Sequence, residues 1–222
     1  MARGTGSDCT VQSATRSGPR VGGRAELSAD GWILRPEYGE QSYRSHAVAL
    51  HQTLYAMTPA ERFAFAEQGG GRMAPTGVHT DERDDCLQVV RGTKPAALTQ
   101  SREKAAVAVL AELGISRNRS GGEIVEAYAL LTLQAVAKEH GLIADNDRET
   151  GSLALSRSPE CIAMLDESDY EERYGAWRHI LRGVALGYSD ADIARFLSRE
   201  EMPMDFELDE HCLQVLAASG NS

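Results

Sequence analysis

The stretch from Tyr170 to Leu197 constrains the fold more than any other, because almost every position in it fits a helix, a tight turn and a second helix. Tyr170, Tyr174, Trp177, Leu181 and Val184 recur at helical spacing, so one face of the first helix carries ring and aliphatic surface toward a core. Gly187 follows that stripe, and a residue able to take left-handed backbone ends a helix there. Ser189 and Asp192 then form the Ser-x-x-Asp pattern of a new helix start, with Tyr188 and Ile193 placed as a hydrophobic staple across the cap.

The same logic extends upstream. Ala47, Leu50, Leu54 and Met57 make one helical stripe, and Thr58-Pro59-Ala60-Glu61 opens a second helix with a cap, a first-turn proline and a capping-box acid, ended by Gly69, Gly70 and Gly71. Ala106, Val109, Leu110 and Leu113 share a face that stops at Gly114. Ser120 and Glu123 start a further helix that is apolar almost all round from Ile124 to Val136, and a helix with no polar face belongs at the centre of a core. Between Arg72 and Gln100 the composition reads as an exposed loop region, with Leu87, Val89 and Val90 as a brief strand. Asp145 to Asp169 reads as a connection between two helical groups, holding a small strand at Leu153–Leu155 and a turn of helix at Cys161–Leu165. Leu208, Cys212 and Val215 mark a last helix.

Residues from Met1 to about Asp30 are Gly, Ser, Thr and Arg with scarcely any large apolar side chain, so ordering them would cost entropy without burial to offset it. The resulting expectation is a mainly α protein, an irregular bundle of about six helices with minor strands. A disordered arm spans residues 1–40, and a single helical domain spans 41–222 with a subdivision near 145–169. Trp32 and Ile33, an apolar cluster at the edge of that arm, are the expected partner-binding residues.

The formal net charge of -10 repels nucleic acid and anionic membranes at long range. Cys9, Cys86, Cys161 and Cys212 stand singly with no Cys-x-x-Cys pair, as expected of reduced thiols in a cytoplasmic protein. No apolar run approaches the ~20 residues that cross a bilayer.

Three clusters of residues offer chemistry. Gly187 to Leu197 resembles the first helix of DNA-binding helix-turn-helix motifs, with Arg195 and Arg199 as the phosphate-binding residues that the resemblance implies. No Lys or Arg follows Arg199, while Glu200, Glu201, Asp205, Glu207, Asp209 and Glu210 do, so charge disfavours a duplex partner. Arg173 and His179, six positions apart, resemble the Arg-x-x-x-x-x-His motif of HEPN-type ribonucleases; that likeness implies a metal-independent cleavage with His179 as general base and Arg173 on the phosphate. His79, Asp81, Asp84, Asp85 and Cys86 crowd nitrogen, oxygen and sulfur donors together as a divalent metal requires, at a spacing that also suits solvated surface. Gly69–Gly71 leads into Arg72-Met73-Ala74-Pro75 and lacks the Gly-Lys-Ser/Thr ending of a phosphate loop. With no complete catalytic or cofactor motif, the expected function is non-catalytic binding of another protein, as an accessory subunit, adaptor or regulator with no cofactor. The DNA-binding regulator and the ribonuclease stand as alternatives.

Overall fold

The computed structural model describes residues 26–27, 32–35, 42–68, 82–115, 126–146, 150–170, 175–200 and 204. Among them the chain is mostly helical, with eight α-helices and a small three-stranded sheet. Residues 1–25 of the expected arm, the capping box at Ser120 and Glu123 and the last helix at Leu208–Val215 lie outside the described residues. Within the span expected to be unstructured, β1 (Glu26–Leu27) pairs antiparallel with β2 (Ile33–Leu34).

The sheet divides the core. β3 (Ala96–Thr99), β5 (Leu153–Ser156) and β4 (Ile143–Asp145) run antiparallel in the order β3-β5-β4. Because side chains alternate between faces along a strand, the cross-strand row of Ala97, Leu155 and Ala144 faces one apolar cluster. Leu98 and Ala154 in the next row face the other. The first cluster is closed by α3 (Glu82–Val90), α4 (Arg102–Glu112) and α5 (Glu126–Ala137) through Cys86, Val89, Val109, Leu110 and Leu133. The second is closed by α1 (Tyr43–Ala56), α2 (Pro59–Gln68), α6 (Pro159–Tyr170), α7 (Gly175–Ala185) and α8 (Asp190–Arg199) through Leu50, Leu54, Met164, Leu165, Trp177, Leu181 and Leu197.

Three sequence expectations are corrected here. Leu87, Val89 and Val90 belong to α3 and not to a strand. The β-branched Val89 and Val90 favour extended backbone, but Cys86 and Val89 are three positions apart and both are buried in one cluster, which a helix satisfies. The stretch from Asp145 to Asp169 is more than a connection, since it supplies the central strand and a full helix. All four residues of β5 are buried, so its sequence shows none of the polar alternation that marks a half-exposed strand. Tyr170 ends α6 rather than starting the hairpin, whose first described helical residue is Gly175.

Local chemistry holds the helix ends as the sequence implies. At α2 the Thr58 backbone N–H donates to Glu61 Oε2 at 2.8 Å and the Glu61 N–H donates back to Thr58 Oγ1 at 3.3 Å, closing the capping box. At α1 the Tyr43 and Arg44 N–H groups donate to the Glu160 carboxylate of α6 at 3.1 and 3.0 Å, so a distant acid satisfies donors the helix itself leaves open.

The helical hairpin and the open face of α5

The α7–α8 turn is built as its residues demand. Gly187 adopts φ 84°, the Tyr188 N–H donates to Gly183 O at 2.9 Å and the Gly187 N–H to Val184 O at 3.1 Å; these are the paired bonds of a Schellman ending. Ser189 Oγ accepts from the Asp192 N–H at 3.2 Å and starts α8. Gly183 lets the helices approach, because a Cβ there would stand 2.7 Å from Ile193 Cγ1.

Between the two helices lies a groove of about 390 Å³ lined by His179, Arg182, Gly183, Leu186, Tyr188, Asp192, Ile193 and Phe196. The His179 ring sits 5.0 Å from that of Phe196. Burial, assisted by the neighbouring Arg178 and Arg182 charges and opposed by Glu200, lowers the His179 pKa from the usual histidine value and favours the neutral ring.

The closed end of the hairpin carries a feature that the sequence does not announce. Lys94 is 2% exposed, its Nζ 2.7 Å from Asp85 Oδ2 and 3.3 Å from the centroid of the Trp32 ring. Tyr188 packs edge-on against Trp32 at 5.4 Å, and the Trp32 indole N–H donates to Gln88. Burial lowers the Lys94 pKa while Asp85 holds it up. A buried ammonium needs an anion and benefits from aromatic faces, and here both come from separate elements. The one sequence hint is the pair Lys94-Pro95, a long charged side chain beside a residue that stiffens the chain.

Trp32 and Ile33 therefore meet the chain's own residues: Trp32 covers Lys94 and the Ile33 N–H donates to Gly187 O at 2.9 Å. In the expected metal set, Asp84 is exposed on α3, Asp85 pairs with Lys94, Cys86 is buried in the core, and His79 and Asp81 lie outside the described residues. Among the described residues no group of three or more His, Cys, Asp or Glu side chains is placed to hold a metal. Arg173 lies outside the described residues, so the structure places only His179 of the ribonuclease-like pair. Arg195 donates to Asp192 Oδ1 at 3.0 Å and to Ala66 O at 2.7 Å, tying α8 to the end of α2. Arg199 is exposed in the last turn of α8, and of the acidic stretch at residues 200–210 that follows it only Glu200 and Met204 are described.

α5 departs from expectation in one respect. Ala129, Leu133 and Ala137 are buried, as its composition implies, yet Tyr128 is 63% and Leu131 64% exposed. With Ala127 and Ala135, also exposed, they form an apolar strip on the outer side of the helix. Among the described residues α5 is thus an outer wall of the core and not its centre, because α4 and the sheet cover one side of it.

Comparison with protein-family models, curated proteins and solved structures finds no significant match. Among the described residues no helix is long and apolar enough to cross a membrane.

Proposed function

We propose that this chain is a non-catalytic cytoplasmic protein that binds another protein, as an accessory subunit, adaptor or regulator, and that the outer face of α5 is its contact surface. The observation carrying this reading is the pair Tyr128 and Leu131, both more than 60% exposed on a helix that is apolar almost all round. A helix of that composition is ordinarily covered on every side. Burying a large apolar side chain is worth about 1.5–3 kcal/mol, so leaving two neighbours in water favours any partner that covers them. Tyrosine is also a frequent anchor in protein interfaces.

The test is a double substitution, Tyr128→Ser with Leu131→Ser. Two anchors at about 1–2 kcal/mol each predict a partner affinity weakened roughly a hundredfold, with little change in unfolding because neither side chain supports the core. The intact assembly isolated from the native cell is weighed by native mass spectrometry for both forms. A heteromeric complex present in the wild type and lost in the variant supports the reading; a complex that survives, or a wild type found bare, refutes it.

A further inference from the structure

The groove between α7 and α8 is lined by polar and by apolar side chains, and none of them belongs to the α5 face. His179 and Arg182 of α7 line the groove, and Arg178, beside His179 in the chain and outside the lining, adds a further positive charge nearby. Arg178 Nε is buried with no hydrogen-bond partner among the described residues. The acids near this end are already paired, Asp169 with Arg182 itself and the groove-lining Asp192 with Ser189 and Arg195. Asp169 of α6 accepts from Arg182 Nη2 at 2.5 Å, and Asp192 accepts from Ser189 Oγ at 2.6 Å and from Arg195 Nη1 at 3.0 Å. Glu200, just past α8, acts on His179 only as a favourable charge. A guanidinium carries five donors, and among the described residues Arg182 spends two of them, on Ser168 and Asp169.

Leu186, Ile193 and Phe196 supply the aliphatic and phenyl surface of the groove, beside Tyr188 and Asp192. A volume of about 390 Å³ falls within the roughly 300–1,000 Å³ typical of small-molecule sites. On a chain with net charge -10, the basic groups His179 and Arg182 in this lining, with Arg178 next to them in the chain, are the local feature that favours an anionic head.

We propose that the α7–α8 groove binds a small amphiphile with an anionic head, the head toward His179 and Arg182 and the apolar body against Leu186, Ile193 and Phe196. This site is independent of the α5 reading, and either stands if the other fails. The probe is octane-1-sulfonate, whose head stays charged across the pH range used, compared with uncharged octan-1-ol by calorimetric titration of the full chain. The sulfonate binds saturably at one site, at least tenfold tighter than the alcohol. Phe196→Ala weakens it about tenfold, and Leu131→Ser on α5 leaves it unchanged.

His179 supplies a second readout. An anionic head favours the protonated ring, so bound ligand raises the His179 pKa and sulfonate affinity rises as pH falls from about 7.5 to about 5.5. Octanol affinity does not follow that trend, and His179→Gln abolishes it without disturbing the core. Equal affinity for alcohol and sulfonate overturns the proposal, as does the absence of saturable binding or a loss on Leu131→Ser. Concentration-dependent self-association that disappears in Phe196→Ala assigns the groove to a second copy of the chain and overturns it equally.

Discussion

Asp85→Ala is expected to cost about 3–5 kcal/mol of stability, the usual penalty for removing one partner of a buried ion pair. The Lys94 side chain is 1% exposed, so its ammonium cannot recover water when the carboxylate is gone. The Trp32 and Tyr188 rings lie 3.3 and 5.8 Å from Nζ, and their cation–π attraction, about 2 kcal/mol when desolvated, offsets only part of the loss. Urea unfolding measures the effect. A cost below about 1 kcal/mol would show that the pair contributes as little as an exposed surface bridge. The double substitution Asp85→Ala with Lys94→Met should recover much of the loss, because it removes the stranded charge along with its partner.

The pH dependence of this variant has a definite sign. Burial already places the folded-state Lys94 pKa below its ordinary value, with Asp85 opposing that shift. Without Asp85 the folded pKa falls further while the unfolded value stays near the usual one. Between the two the unfolded chain binds more protons, so stability rises with pH in that window. The penalty of Asp85→Ala should therefore be smaller at about pH 9.5 than at pH 7, and a penalty that grows instead would contradict the assignment.

Gly187→Ala is the second large effect. Its φ of 84° is left-handed backbone, which costs an L-residue about 1–2 kcal/mol. The added Cβ also meets Pro95 Cδ and Cγ at 2.8 Å and the Ile33 carbonyl oxygen at 3.3 Å. Pro95 is buried and its ring has no rotamer in which to withdraw, so overpacking adds roughly 1–3 kcal/mol. Gly92 provides the control: its φ is 74° and no atom lies within 4 Å of where an added methyl would sit, so Gly92→Ala bears the backbone cost alone. Thermal and urea unfolding of the two variants separate the terms, and equal losses would remove the Pro95 contact from the account.

Gly187 also illustrates how much of the candidate sites is legible in the sequence. That a glycine ends the helix follows from local rules, since the helical stripe stops there and a new cap begins two residues later. That the same glycine is where β2 and Pro95 press against the hairpin does not follow, because Ile33 and Pro95 are far from it in sequence. His179 stands out in the sequence for its spacing from Arg173, yet its setting comes from Phe196 and from the approach of two helices over Gly183. Lys94 gives almost no signal: one lysine in a polar stretch reads as surface until Asp85, Trp32 and Tyr188 arrive from three elements.

The sequence by itself determined the helices whose evidence is short-range: the caps at Thr58 and Ser189, the stop at Gly187, and the apolar stripes of α1, α4 and α7. Those features depend on backbone groups and side chains within a turn or two of one another, and that information is complete in a local window. Tertiary structure alone decided that Val89 lies in a helix, that β5 is the middle strand, that one side of α5 faces outward and that Lys94 is buried. Each of these depends on which surfaces meet, and a free energy of burial or of charge pairing has no value until the distant partner is in place.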